Sequence, residues 1–94
     1  MKYFKKNEII FNQGDQNQTY YVILKGEVNT YVSYTPEQKN LGISIQSTFH
    51  IGDGFGEKYL INKQRCAESA ICTQDSYLIV ITKNAYETIL SAFQ

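Results

Sequence analysis

Short apolar segments, most of them closed by turn-forming residues, follow one another along this chain. The predicted strands are residues 9–11, 20–24, 27–34, 41–51, 66–73 and 77–81. Gly, Asn, Asp and Ser recur between them, and these residues favour tight turns. Strands this short and this closely spaced favour an antiparallel arrangement over βαβ units, and residues 20–24 and 27–34 are predicted to form a hairpin. The pattern therefore predicts a mainly β fold, an antiparallel β-roll or jelly roll.

The longest alternation runs from residue 41 to residue 51. His50 lies on the polar face of this predicted strand, where we expect it to be solvated, and residues 35–40 before it read as a loop. In the preceding strand, one face carries Val28, Thr30, Val32 and Tyr34. The apolar residues of the long alternation are predicted to share one face, interrupted only by a serine: Leu41, Ile43, Ile45, Phe49 and Ile51.

Two helices complete the predicted architecture, a short one inside the chain and one at its end. Residues 58–61 allow about one helical turn. Thr82 is a good N-cap for the closing helix, because its hydroxyl can accept a hydrogen bond from an amide of the first turn. The apolar residues of that helix repeat at helical spacing and are expected to be core or half-exposed positions: Tyr86, Ile89, Leu90 and Phe93.

Composition limits the function. The 94 residues, taken as one domain covering 1–94, carry nine basic and nine acidic side chains, so we expect no general attraction to nucleic acid or to an acidic membrane. No apolar run approaches the roughly 20 residues that span a bilayer, so no direct membrane insertion is expected. The start, MKYFKKNEII, lacks the features of a signal peptide. These observations predict a cytoplasmic, intracellular protein.

Catalytic and metal-binding groups are scarce. With one histidine and no evident partner for it, we predict neither a catalytic site nor a metal site, and no enzyme activity. Cys66 and Cys72 are six apart in one predicted strand, about 20 Å at 3.3 Å per residue, which is too far for a disulfide. They are expected to be two reduced thiols that fill space in the core.

The segment IGDGFGE, residues 51–57, is rich in glycine and is followed by the chain's one arginine, Arg65. Glycines let a ligand approach bare backbone, and a guanidinium can bind phosphate oxygens through two hydrogen bonds. Glu57 would repel an anion but could accept a hydrogen bond from a neutral hydroxyl beside it. A phosphate next to a sugar hydroxyl suggests a nucleotide. The alternative is that the glycines form a turn, Glu57 caps a helix and Arg65 pairs with a surface acid.

Two common nucleotide motifs are excluded. No GxGxxG with a preceding βαβ strand is present, and the following helix is too short for a dinucleotide-binding fold. A Walker loop would need Gly-Lys-Ser or Gly-Lys-Thr.

Three segments in order resemble the cyclic nucleotide-binding domain family. NEIIFNQGDQNQTYYVILKGEV (7–28) resembles its opening strands and turns, IGDGFGE with Arg65 resembles its phosphate-binding cassette, and DSYLIVITKNAYETIL (75–90) resembles its last strand and helix. The resemblance implies a regulatory module that binds cAMP or cGMP and needs no further cofactor. It also implies that the C-terminal helix moves when the ligand binds, and that this movement transmits occupancy to an effector domain or protein partner outside this chain.

The resemblance also implies the residues of the site. Gly56 and the amides after it would face the cyclic phosphate, Glu57 would accept from the ribose 2′-hydroxyl, and Arg65 would bind the exocyclic oxygens. Cys66 lies where a hydroxyl is associated with cGMP, and because a thiol is a weak donor we favour cAMP. The full set of expected ligand-binding residues is Phe55, Gly56, Glu57, Lys58, Tyr59, Leu60, Arg65, Cys66 and Ala67.

The cassette departs from the family pattern in several places. Lys58 and Tyr59 replace an aliphatic residue and an alanine, and Glu57 to Arg65 is one residue short, with Gln64 where proline is frequent. Family members usually continue into a lid helix, so either this sequence is a fragment or the lid is absent. These departures leave an alternative open, in which the fold has lost its ligand and serves as a structural or docking module in a larger assembly. A Tyr59 ring that fills the pocket would argue against binding.

Overall fold

The computed structural model describes residues 1–34 and 42–93. Eight strands and two helices follow one another along these residues. In chain order they are β1 (Lys2–Phe4), β2 (Ile9–Phe11), β3 (Thr19–Lys25), β4 (Val28–Tyr34), β5 (Gly42–Phe49), β6 (Gly54–Phe55), α1 (Glu57–Asn62), β7 (Ser69–Cys72), β8 (Ser76–Thr82) and α2 (Lys83–Ser91). The predicted loop at 35–40 and Leu41 lie outside the described residues.

The strands form two four-stranded sheets, in the orders β1-β8-β3-β6 and β2-β7-β4-β5. All pairings among the described strands are antiparallel. Strands that are distant in sequence become neighbours, as when β3 pairs along its length with β8. This confirms the predicted mainly β, antiparallel roll. The predicted hairpin of residues 20–24 with 27–34 is wrong, because β3 and β4 belong to different sheets.

The core lies between the sheets, where alternate side chains of each strand point inward. Val28 pairs with Cys72 across one sheet, Ile23 pairs with Leu78 across the other, and all four side chains are buried. Burying side chains such as Val, Ile and Leu stabilises a fold by roughly 1.5–3 kcal/mol each. The alternation seen in the sequence therefore reports which residues hold the two sheets together.

Strand β5 contradicts one sequence prediction, namely that its apolar residues share a face. The register with β4 shifts between Thr30 and Tyr31, so that Gln46 is an extra residue in β5. Such a bulge reverses the inside-outside alternation beyond it. Phe49 therefore points inward, whereas Ile43 and Ile45 lie on the outer face and are 65% and 56% exposed. Ile51 follows the strand and is also exposed.

Three further differences concern backbone pairing. Strands β1 and β6 are too short to show a pattern in the sequence, and each exists because it pairs with a longer strand, β8 or β3. Cys66 was predicted in a strand, but β7 begins at Ser69. The backbone of Cys66 instead binds the turn between β2 and β3, with the Gly14 N–H donating to its carbonyl and its own N–H donating to the Asp15 carbonyl, both at 2.8 Å.

Both predicted helices are present. Thr82 caps α2, its hydroxyl accepting from the Ala85 amide at 3.3 Å. The apolar stripe was expected at core or half-exposed positions; no described residue of α2 is buried and Ile89 is half-exposed at 51%, whereas Phe93, which follows the helix, is 86% exposed and departs from that expectation. Within residues 1–34 and 42–93, no helix has the length and apolar character needed to cross a membrane.

Gly26, between β3 and β4, generates a stability prediction. Its φ is +109°, and a Cβ there would lie 2.7 Å from Ser76 Cα. We expect Gly26→Ala to lower the free energy of unfolding by roughly 2 kcal/mol or more, because left-handed strain and overpacking add. Urea unfolding measures this. Gly52→Ala is the control, since Gly52 has φ +88° with open space around it and should lose only about 1 kcal/mol. Equal losses would contradict the overlap with Ser76.

The two cysteines generate a second prediction. Both are free and buried, and burial raises the pKa of each thiol; the nearby Asp15 and Glu68 carboxylates raise that of Cys66 further. Because the fold favours the neutral thiols, their contribution to stability is complete below the ordinary thiol pKa and is lost as pH rises through the raised values. We expect iodoacetamide at pH 8 to modify both far more slowly in the native protein than in urea, measured by mass spectrometry. Rapid native modification would contradict this.

Candidate functional site

The glycine segment leads from the end of β5 into α1 through a tight turn and the two-residue strand β6. Gly52 has a positive φ and donates its N–H to the Ile23 carbonyl at 2.8 Å, which fixes the turn against β3. At Gly54 the backbone passes so close to the Tyr20 hydroxyl that a Cβ would overlap it. The positive φ at Gly52 and the close contact at Gly54 favour glycine at both positions, whether or not a ligand binds.

Gly56 ends this path and is the N-cap of α1. Its φ is +88°, and a Cβ would lie 2.9 Å from the Thr19 carbonyl, so both conformation and space favour glycine. The preceding residue, Phe55, is buried and stacks on Tyr21 at 5.1 Å and on Phe49 at 5.5 Å between ring centroids. The start of α1 is therefore fixed to the aromatic interior of the roll.

Tyr59, in the first turn of α1, points into that interior. Its side chain is 1% exposed, and its ring packs edge-on against Phe11 at 5.9 Å. Its hydroxyl accepts a hydrogen bond from the Ala67 N–H at 3.1 Å. The ring is thus a buried part of the core, and its oxygen satisfies an amide of the segment that follows Arg65. Leu60, the next residue, is also buried.

Arg65 is exposed, and its guanidinium Nη1 donates to the Gly14 carbonyl at 3.1 Å. Cys66, directly after it, is buried and joined through its backbone to the same turn. Arg65 is therefore held near the turn between β2 and β3. Its guanidinium keeps further N–H groups that could bind an anion.

Glu57, the first residue of α1, is exposed, and its Oε2 accepts a hydrogen bond from the Tyr86 hydroxyl at 2.9 Å. That bond stabilises the neutral phenol and raises the pKa of Tyr86. Tyr86 belongs to α2, and its ring also packs edge-on against Tyr20 at 6.3 Å. A contact 29 residues apart in sequence thus connects the cassette to the closing helix.

Lys58 connects α1 to the segment after Arg65. Its Nζ lies 3.3 Å from Glu68 Oε1 and 5.1 Å from the centre of the Tyr59 ring. Partial burial disfavours the charge, but the Glu68 carboxylate outweighs it and raises the pKa of Lys58. An exposed pair of this kind contributes at most about 1 kcal/mol. The Lys58–Glu68 pair and the hydrogen bond from the Ala67 N–H to the Tyr59 hydroxyl together hold α1 against the segment that follows Arg65.

The nine predicted site residues thus divide into three groups. Glu57 and Arg65 are exposed and present polar groups. Lys58 and Ala67 are exposed and are engaged with neighbouring protein groups. The others are buried, or half-buried in the case of Gly56: Phe55, Gly56, Tyr59, Leu60 and Cys66.

Three partners of the site were missed in the sequence. Tyr86, Glu68 and Gly14 contact cassette residues from α2, from the segment before β7 and from the β2–β3 turn. Their separations from those partners are 29, 10 and 51 residues, so no local pattern connects them. Only the pairing of the strands brings these side chains to one place.

His50 and an open groove lie outside the predicted site. His50 is 64% exposed, as expected, and its Nε2 lies 3.1 Å from Glu27 Oε1. The groove, of about 470 Å³, contains none of the nine predicted residues and is lined by Asn12, Gln13, Gly14, Tyr31, Ser33 and Ser69. In the described part of the chain, no three His, Cys, Asp or Glu side chains cluster in a way that could hold a metal ion.

Comparison with known proteins adds relatives of two kinds. The chain is 29% identical over 87 residues to Rap guanine nucleotide exchange factor 3 of Homo sapiens, covering 92% of this chain and 9% of that protein. It is also 29% identical over 87 residues to the cAMP-dependent protein kinase regulatory subunit of Hypocrea atroviridis, covering 93% and 17%. The chain therefore spans less than a fifth of the length of either relative.

Among solved structures, the cAMP-bound form of the EAL enzyme Bd1971 is similar to this chain, with 28% identity and a TM-score of 0.83. The match covers 96% of this chain and 23% of that one, and a cGMP-bound form of the same enzyme matches as well. The family model described as the cyclic nucleotide-binding domain matches residues 1–93. With nearly the whole chain matched and the antiparallel roll in place, the protein belongs to the cyclic nucleotide-binding domain family.

Proposed function

We propose that this domain is a regulatory module that binds a cyclic nucleotide at the cassette and transmits occupancy through α2. Arg65 would bind the exocyclic phosphate oxygens, and Glu57 would accept from the ribose 2′-hydroxyl. The backbone from Gly56 to Leu60 and at Cys66 and Ala67, with the Phe55, Lys58 and Tyr59 side chains, would form the rest of the site.

The observation that carries this proposal is the exposure of both charged groups in a chain of this family. Each group makes one contact with the described part of the protein, Glu57 with Tyr86 and Arg65 with Gly14, and a domain that had lost its ligand would have no need for the hydrogen-bonding capacity that remains. Arg65 makes one hydrogen bond to protein among the described residues, which leaves most of its donors for an anion. Glu57 has one oxygen engaged and a second oxygen to offer a hydroxyl.

The relatives support a cyclic nucleotide as the ligand, and both cAMP-bound and cGMP-bound forms exist for one of the similar structures. We favour cAMP, because Cys66 offers only a weakly donating thiol where a hydroxyl would be suited to cGMP. The Cys66 thiol is buried, and burial raises its pKa, so it stays a neutral group near neutral pH.

The proposed role is regulatory and not catalytic. One similar structure belongs to an enzyme, but this fold covers only 23% of that chain. The effector that reads occupancy would be a domain or protein partner outside these residues, and the location would be intracellular.

Removing the guanidinium tests the site. We expect the parent to bind cAMP in a calorimetric titration and Arg65→Ala to bind ten- to a hundredfold more weakly, because a charge-assisted hydrogen bond is worth roughly 1.5–3 kcal/mol. Arg65→Lys should fall between the two, since it keeps the charge but loses the planar pair of donors.

Lys25→Ala is the matched control, because it removes one positive charge from an exposed site outside the cassette. It should bind like the parent. Parent-like binding by Arg65→Ala would show that the phosphate lies elsewhere. A folded parent that gives no heat with millimolar cAMP or cGMP would overturn the proposed function.

One observation favours a second candidate, a domain that no longer binds ligand and serves as a structural or docking module. Tyr59 is buried, and its hydroxyl already satisfies the Ala67 amide, a group that the proposed ligand site includes. A phosphate that used this amide would have to displace the hydroxyl. The two candidates therefore differ in whether Tyr59 can give way.

Tyr59→Phe separates them, because it removes the hydroxyl and keeps the ring. We expect it to lower the free energy of unfolding by about 1 kcal/mol, since the Ala67 N–H loses its acceptor, and to strengthen cAMP binding if hydroxyl and phosphate compete. Tyr77→Phe, at a 38% exposed tyrosine of β8, is the control. Absence of binding in the parent and in Tyr59→Phe, with both folded, would favour the docking module. Tyr59→Ala opens more space but should lose roughly 3–5 kcal/mol of stability.

A further inference from the structure

Helix α2 is attached to the roll by few side-chain contacts. It continues directly from β8 at Thr82, and none of its described residues is buried. Tyr86 makes the one hydrogen bond that an α2 side chain donates to the roll within residues 1–34 and 42–93, to Glu57 Oε2 at 2.9 Å. Among the described residues, the Tyr86 phenol is therefore the polar side-chain link between α2 and the cassette.

The roll holds that phenol in place. The Tyr86 ring packs edge-on against Tyr20, with ring centroids 6.3 Å apart and planes at 78°. Tyr20 in turn lies against the backbone of Gly54, where a Cβ would overlap its hydroxyl. Because β3 and β6 fix Tyr20, and Tyr20 packs against Tyr86, the hydroxyl of Tyr86 is directed at the start of α1.

Glu57 is the other half of the contact. Its side chain is exposed, and its one hydrogen bond to a described residue comes from Tyr86. A carboxylate can accept several hydrogen bonds, so holding Oε2 leaves Oε1 open to a second hydroxyl. An exposed glutamate loses considerable conformational entropy when a ligand fixes it, and a side chain that is already fixed loses less.

From these contacts we propose that Tyr86 is a positioning residue, which orients the Glu57 carboxylate for the ligand hydroxyl and couples ligand binding to α2. This rests on the proposed function and adds the contact through which the site is regulated. Coupling between two contacts is reciprocal. If Tyr86 strengthens ligand binding, the ligand strengthens the hold of Tyr86 on Glu57 by the same factor, and α2 becomes more firmly docked when the site is occupied.

The test is Tyr86→Phe, which removes the hydroxyl and keeps the ring on Tyr20. In calorimetric titrations with cAMP we expect its affinity to be about three- to tenfold lower than that of the parent. In hydrogen exchange measured by mass spectrometry, saturating cAMP should slow exchange across residues 83–91 in the parent and do so much less in Tyr86→Phe. Tyr77→Phe, on the exposed side of β8, should behave like the parent in both measurements.

A second pair of variants shows whether Tyr86 acts through Glu57. In a Glu57→Ala background, Tyr86→Phe should have no further effect on affinity, because the group that it positions is gone. If the parent binds cAMP and Tyr86→Phe binds equally well or more tightly, the inference is overturned and the proposed function stands. If the folded parent binds neither cAMP nor cGMP at millimolar concentration, the proposed function fails and the inference fails with it.

Discussion

The aromatic cluster inside the roll is the contact on which the rest of the structure depends. Tyr21 belongs to one sheet, Phe11 and Phe49 belong to the other, and Phe55 stacks between Tyr21 and Phe49. Tyr59 adds its ring to Phe11 from the side of α1. Aromatic pairs of this kind contribute about 0.5–1.5 kcal/mol beyond the area they bury. The same rings that join the two sheets therefore also fix the beginning and the first turn of the cassette helix.

The aromatic contacts of α1 lie on its inner face, and its exposed outer face makes polar contacts. Lys58 pairs with Glu68, and Glu57 accepts from Tyr86. One contact joins α1 to the segment that carries Arg65, and the other joins α1 to α2. A rigid inner face and an adjustable outer face are what the proposed regulatory function requires, since a ligand must alter contacts at the surface without disturbing the core.

The sequence predicts those parts of the fold that follow from local periodicity. Val28 and Thr30 alternate inward as expected, and Thr82 begins the closing helix. The face of Ile43 and Ile45 could not be predicted, because a single extra residue at Gln46 reverses the alternation and only the paired strand reveals it.

The candidate site residues could be identified from the local motif and the family resemblance, but which of them are buried could not be predicted from either. Tyr59 read as a residue at the pocket, and the structure has its ring in the core with its hydroxyl on the Ala67 amide. The Tyr86 contact with Glu57 depends on how β8 and α2 return to the cassette. The local sequence thus determines which chemical groups the site contains, whereas long-range packing determines how accessible each group is.

The buried Tyr59 side chain has a consequence for the concentration range in which such a domain could respond. A ligand that uses the Ala67 amide binds only the fraction of molecules in which the Tyr59 hydroxyl has left it, and the apparent affinity falls by that fraction. Under the proposed function, Tyr59 would therefore act as an internal competitor whose effective concentration is fixed by the fold. Substitutions at this one position would then shift the response threshold in either direction, without any change in Glu57 or Arg65.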